Sequence, residues 1–349
     1  MKFFSFTWKE KAVYAASMLL SKAVNANKNI STYSPKRILC IKLDEIGDLC
    51  YSLHVFDLLK QNHPEAEITL LCKPFALSLV EHHPGIDVAT HSWNDLTGYY
   101  DTIIDLRGNW RSIRYAAAHQ PKVRLDRGMV RFANMRAGKH PHEVFTNLQI
   151  ITPLLKNIPA NPQPEIYVGQ QNIEKVKQYL QTHQLNNIAL FHTGARKELR
   201  KWPADNFAKL AVYLKEKHQL DILFTGDQSD IKSIENIQQH IPFKTYNTAG
   251  LFNLIEFSAL AKLSTLYVGN ESGPLCIATV SGATALGLFG PGEPFVFYPF
   301  GKNTAYIHHV LECNPCNQIT CVHPTNPCIQ RISISEAQLV CAELLAKIY

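Results

Sequence analysis

From residue 37 onward, short apolar runs alternate with segments whose apolar positions recur every three or four residues. The runs "RILCIKL" (37–43), "AEITLLC" (66–72), Thr102–Leu106 within "YYDTIIDLRG", and "KVRLD" (122–126) read as strands. "DLCYSLHVFDLLKQNH" sets Leu49, Leu53, Phe56 and Leu59 on one helical face. "HEVFTNLQIITPLL" reads as another helix. The segment "KNIPANPQPEIYVG", with Pro159, Pro162 and Pro164, then breaks the pattern as a linker would. Beyond it the alternation restarts. "NNIALFH", "LDILFTG", "STLYVGN" and "ATALGLFG" read as strands, separated by helical "PADNFAKLAVYLKEKH", "SDIKSIENIQQH", "LFNLIEFSALAKL" and "SGPLCIATVSG".

Repeated strand–helix units imply parallel sheets covered on both faces. Two such series joined by a proline-rich linker predict an α/β chain with two doubly wound domains facing a cleft. The expected division is a helical extension over 1–30, a first domain over 31–165 and a second over 166–349. A length of 349 residues agrees, because it exceeds one ordinary core. Hydrophobic content of 46% and charged content of 18% fit a globular chain. No apolar run reaches the roughly 18–20 residues of a membrane span. A net charge of +6 favours anionic partners.

In parallel sheets ligands bind beyond the carboxyl ends of the strands. The first strand is followed by Asp44, Glu45, Gly47 and Asp48, and "TIIDL" by Arg107 and Arg111. "NNIALFH" is followed by Thr193, Gly194, Arg196, Lys197, Arg200 and Lys201, and "LDILFTG" by Asp227 and Asp230. "STLYVG" leads into Asn270, Glu271, Ser272, Gly273 and Pro274. Cations ahead of a helix N-terminus suit a phosphate or pyrophosphate, and Ser272 and Gly273 let backbone amides approach an anion. Glu271 offers an acceptor for sugar or ribose hydroxyls. Helix capping accounts for any one of these loops, but their concentration at one sheet edge argues for a ligand. Asp48 has two readings: a cap for the helix starting near Gly47, or a general base. There is no G-x-G-x-x-G or G-x-x-x-x-G-K-[ST], which disfavours a dinucleotide dehydrogenase and a P-loop kinase. No Asp-x-Asp pair is present to hold a divalent ion against a diphosphate.

Five stretches, in order, resemble the bacterial ADP-heptose:lipopolysaccharide heptosyltransferases, glycosyltransferase family 9. They are "ILCIKLDEIGDLCYSL", "IIDLRGNWRS", "HTGARKELRKWPADNFAKLA", "GNESGPLCIATVSGATALGLFGP" and the Cys-bearing tail. The resemblance implies a GT-B fold of two Rossmann-like domains, acceptor side first and nucleotide-sugar side second. It also implies inverting, metal-independent transfer with no catalytic cofactor. By position, Asp48 matches the family's base, and Arg200 or Lys201 its donor diphosphate contact. Thr193 and Gly194 match its phosphate loop, Asp230 an acidic donor contact, and "NESGP" its Asn-Asp-Ser-Gly-Pro. Glu271 replaces the usual Asp, and Cys276 the usual His.

The expected partners are an ADP-sugar and an anionic glycolipid or glycan, with Asp44, Arg107 and Arg111 on the acceptor side and Arg196 on the donor side. The expected location is cytoplasmic, peripheral on the inner membrane. Alternatives are a nucleotide-sugar epimerase or hydrolase, or a non-catalytic glycan- or membrane-binding relative. The stretch 107–139 holds nine Arg or Lys residues and one acid, Asp126, and reads as a solvated face or, in the acceptor domain, as an anion-binding face that could also dock on the cytoplasmic leaflet with the N-terminal segment. Nucleic acid is disfavoured because no reading motif accompanies the charge. The N-terminal "MKFFSFTWKEKAVYAASMLLSKAV" reads either as an interfacial helix on an anionic membrane or as a helix packed on the first domain. Cys313, Cys316, Cys321 and Cys328 form either a structural zinc or iron clip or a thiol-rich loop.

Overall fold

A computed structural model describes residues 8–314, 316 and 318–348. The chain divides into two compact units, one ending at Tyr167 and the other beginning at Val168.

The N-terminal unit contains α1 (Trp8–Val24), β1 (Arg37–Lys42), α2 (Ile46–Cys50), α3 (His54–Asn62), β2 (Glu67–Cys72) and α4 (Leu77–Val80). It continues with β3 (Val88–Thr90), β4 (Thr102–Asp105), α5 (Trp110–His119), β5 (Val123–Asp126), α6 (Arg127–Arg136) and α7 (Glu143–Ile151). Its sheet has the order β3-β2-β1-β4-β5, parallel at every pairing. The middle strands are buried along nearly their whole length, which is why they read as unbroken apolar runs.

Helix α1 packs against α5, α6 and β5. The contact is largely polar. Arg124, fully buried on β5, bonds the carbonyl of Ser17 at 2.9 Å, its hydroxyl at 2.9 Å, and the hydroxyl of Ser21 at 2.6 Å. The same guanidinium pairs with Asp105 at 3.3 Å and Asp126 at 3.2 Å, and Ser21 donates to Asp126. Gly128 permits the close approach of α6: a Cβ there would stand 2.8 Å from the Tyr14 carbonyl oxygen. The N-terminal segment is therefore a helix over 8–24 whose inner face is packed on the first unit. Residues 1–7 of the expected extension lie outside the described residues.

The C-terminal unit contains α8 (Gln170–Thr182), β6 (Ile188–His192), α9 (Ala204–His218), β7 (Asp221–Thr225), α10 (Ile231–Gln238), β8 (Tyr246–Asn247) and α11 (Leu254–Leu263). It continues with β9 (Leu266–Asn270), α12 (Gly273–Val280), β10 (Ala285–Phe289), α13 (Pro294–Phe297), β11 (Thr304–His308) and α14 (Ile334–Leu345). The sheet order is β11-β10-β9-β6-β7-β8, again parallel throughout. Phe191, Phe207, Phe224, Leu210 and Leu214 anchor one core layer between sheet and helices.

Candidate active site

Strand order reverses between β1 and β4 in the first unit and between β6 and β9 in the second. Crossovers leave in opposite directions at such a point, opening a crevice at the carboxyl ends of the two strands. The sequence-predicted residues fall on both of these points.

In the first unit, β1 ends at Lys42 and β4 at Asp105. Lys42 is buried and pairs with Asp44 at 2.9 Å, and the Arg107 Nε meets the other Asp44 oxygen at 2.7 Å. Asp105 fixes the Arg107 loop by accepting the backbone N–H of Arg107 at 3.2 Å and of Gly108 at 2.7 Å. A second buried cluster joins Arg127 to Glu143 at 2.5 Å and Arg131 to the same carboxylate at 2.9 Å. Burial raises the Asp44 carboxyl, but Lys42, Arg127 and Arg107 outweigh it and hold the group below its ordinary range.

Asp48 lies in the first turn of the short helix α2. Its cap residue is Glu45, whose side chain makes no capping bond and pairs with Lys73 at 2.7 Å. Burial, reinforced by the negative charge of Asp44, pushes the Asp48 carboxyl up to about 6 against the pull of Lys42. A carboxylate tuned this way is mostly ionised at neutral pH yet a far better proton acceptor than an ordinary aspartate.

One acceptor-side expectation changes. Asp44 stays at the first switch point, its two oxygens paired with Lys42 and Arg107. The basic stretch 107–139 is not one anion-binding face, because Arg124 and Arg127 are buried in ion pairs and Arg131 is paired to Glu143. Arg107 and Arg111 do keep exposed surface, and the Arg111 guanidinium lies 4.8 Å from the Trp93 ring centre. Lys42 and Glu143 were missed in the sequence; a lysine inside the apolar run "ILCIKL" was the available signal.

In the second unit the loop after β6 is held by Asn270 at the end of β9. The fully buried Asn270 accepts the backbone N–H of Trp202 at 3.0 Å and donates to the Thr193 carbonyl at 2.8 Å. These two bonds make Asn270 a brace between the end of β9 and the loop after β6. Asp230 sits against both Gly194 and Gly226; a Cβ on either would stand within 2.7 Å of its carboxylate. The structure thus brings Asp230 beside Gly194. A cavity of about 540 Å³ opens here, lined by Thr193, Gly194, Lys201, Trp202 and Phe207 among others.

Glu271 follows directly. One of its oxygens pairs with Arg200 at 3.3 Å, while the Oε2 is buried without a hydrogen-bond partner among the described residues. Burial lifts this carboxyl to about 7 despite Arg200. Its extra methylene is accommodated by Gly292, where a Cβ would stand 2.0 Å from Oε2. Arg200 also donates to Gln318 at 2.7 Å, and Lys201 pairs with Glu198 at 2.5 Å. Arg196 is exposed. Ser272, Gly273 and Pro274 open α12, with the Ser272 hydroxyl donating to the Asn270 carbonyl at 3.0 Å and the backbone amides left at the helix start. These groups can hold a diphosphate with cations and amides and read a sugar hydroxyl with Glu271.

Cys313, Cys316, Cys321 and Cys328 do come together, around a cavity of about 30 Å³. Among the described residues, however, no three His, Cys, Asp or Glu side chains are grouped to hold a metal ion. The zinc or iron clip is therefore not supported, and the thiol-rich loop is what the structure shows.

Residues 90–326 match the glycosyltransferase family 9 (heptosyltransferase) profile, more than half of the chain. This chain belongs to glycosyltransferase family 9. It is a glycosyltransferase, and the resemblance carried by its five sequence stretches was to the right family. It is 22% identical over 294 residues to the lipopolysaccharide core heptosyltransferase OpsX of Haemophilus influenzae, covering 78% of this chain and 84% of that protein. It is 26% identical over 304 residues to the lipooligosaccharide heptosyltransferase 2 of the same species, covering 77% and 88%. Among solved structures, a family 9 glycosyltransferase from Veillonella parvula superposes with a TM-score of 0.75 at 18% identity, covering 92% of this chain and 99% of the other. The Escherichia coli ADP-heptose heptosyltransferase II superposes with a TM-score of 0.71 at 17% identity, covering 89% and 99%. The fold is the GT-B fold of these enzymes.

Proposed function

We propose that this family 9 glycosyltransferase moves a heptose, or a sugar of similar shape, from an ADP-sugar to a lipopolysaccharide core or related anionic glycan. In this reading transfer is a single inverting displacement that needs no metal ion. Asp48 accepts the proton of the acceptor hydroxyl as its oxygen attacks the anomeric carbon, and the bond to ADP breaks. Arg200, Lys201, Arg196 and the amides at the start of α12 neutralise the departing diphosphate. Glu271 and Asp230 hold donor hydroxyls. Near neutrality Glu271 is part protonated, so it can both donate to and accept from a sugar. Arg107 and Arg111 place an anionic acceptor, and Lys42 with Asp44 braces Asp48. The enzyme works in the cytoplasm at the inner-membrane surface, where a lipid-linked acceptor is available.

The observation that carries this reading is Glu271: a buried carboxylate with one oxygen on Arg200 and the other unpartnered, at the switch point of a parallel sheet. The names of the related heptosyltransferases support the sugar and the acceptor class. A thermal-shift panel of nucleotide sugars tests the donor. ADP-sugars raise the melting temperature and UDP- and GDP-sugars do not; the reverse selectivity rejects the donor assignment.

A further inference from the structure

Helix α1 buries Tyr14, Ser17 and Ser21 against the N-terminal unit. Its opposite side carries Trp8, 74% exposed, and Leu19, 62% exposed. Eleven residues are about three helical turns, so these two side chains lie on one line along the helix. Ala12 and Ala23 are also exposed and fall on the same side. Lys11 and Lys22, both exposed, flank this stripe, and the Lys9 ammonium stands 5.8 Å from the Trp8 ring centre. The helix's one acid, Glu10, is turned about 200° from Trp8 at 100° per residue. Exposed Arg114, Lys122, Arg136 and Lys139 lie on or next to α5, β5 and α6, the elements against which α1 packs.

We infer that the outer face of α1 is a docking surface for an anionic lipid bilayer. Trp8 and Leu19 enter the headgroup boundary, and the lysines stay at the level of the lipid phosphates. A large aromatic, a large aliphatic and small alanines in line, bordered by ammonium groups, match an interface that is apolar within and negative at its rim. The buried polar contact of Arg124 with Ser17 and Ser21 fixes the helix from behind, so docking requires no rearrangement of the unit. Trp8, Leu19, Lys11 and Lys22 have no assigned part in transfer.

The test is co-sedimentation of the full chain with vesicles, without donor or acceptor, so that its outcome is independent of the proposed reaction. Vesicles containing phosphatidylglycerol are compared with vesicles of phosphatidylcholine alone, at low and high salt. The expected result is binding to the anionic vesicles only, weakened by salt. Lys11→Glu and Lys22→Glu each weaken it on the order of fivefold or more. The pair Trp8→Gln and Leu19→Gln abolishes it with an unchanged far-UV spectrum and unchanged transfer to a water-soluble acceptor. Equal binding to both vesicle types, no binding, or binding undiminished in these variants overturns the inference. So does a concentration-dependent dimer that Trp8→Gln and Leu19→Gln disrupt, since the face is then covered by a second copy.

Discussion

Replacing Gly292 by Ala isolates the contact that makes room for the Glu271 carboxylate. A Cβ at 292 would lie 2.0 Å from the Glu271 Oε2 and 2.2 Å from its Cδ and Oε1. Ordinary contacts begin near 3.4 Å, so the carboxylate must retreat by about 1.4 Å. The obstacle is the far end of a flexible side chain, so the fold itself survives. The 3.3 Å pair with Arg200 and any bond to a donor hydroxyl do not. Hydrogen bonds to charged groups contribute about 1.5–3 kcal/mol, which corresponds to roughly 10- to 150-fold in affinity. Calorimetric titration of Gly292→Ala with an ADP-sugar should show a loss in that range, with free ADP bound within a few-fold of the parent. Adding Glu271→Asp shortens the acid by one methylene and clears the Cβ, so the double variant should recover most of the affinity. The two changes then couple by more than about 1 kcal/mol. Undiminished ADP-sugar affinity in Gly292→Ala, or a double variant no better than the single one, refutes the packing argument.

Three further outcomes follow from the site. Transfer requires ionised Asp48, so kcat should fall as pH drops through about 6, and Asp44→Asn should move that limb to lower pH by removing the neighbouring negative charge. A pH–rate profile checks both. Arg124→Met leaves Asp105 and Asp126 buried without their cation and should cost about 3–5 kcal/mol in urea unfolding of the N-terminal unit. The folded-state pKa of Asp105 already lies above its ordinary value. The folded variant therefore binds protons that the unfolded chain does not, and its deficit shrinks as pH falls from 7 towards 5. Transfer in the presence of EDTA should equal transfer with added Mg²⁺, measured as ADP release.

Much of the fold was legible because buried parallel strands leave unbroken apolar runs. Both switch points were foreshadowed by the polar residues that follow β1, β4, β6 and β9. The less legible elements lack an apolar signal. Helix α6 buries Arg127, Gly128 and Asn134, so "RGMVRFANMR" resembles a solvated basic segment. Its acid, Glu143, lies outside that segment, on α7. Helix α8 buries only Val176 and Leu180. Edge strands β3 and β11 are partly exposed, and β3 is only three residues long. At the site, residue types were readable but their division of labour was not. Asn270 and Asp44 look like ligand contacts in the sequence, and the structure adds that each also ties neighbouring loops together, Asn270 to Thr193 and Trp202 and Asp44 to Lys42 and Arg107. The four tail cysteines show the same limit, since proximity in sequence did not create a metal-binding group. The fit of Glu271 against Gly292 needs two segments twenty-one residues apart, and nothing in either one announces it.

The most direct measurement is paired on one variant, Asp48→Ala: transfer of sugar from an ADP-sugar to a glycan acceptor, and donor affinity by titration. The account predicts that transfer is abolished while donor affinity stays within a few-fold of the parent. Retained transfer, or a large loss of donor binding, would contradict Asp48 as the base.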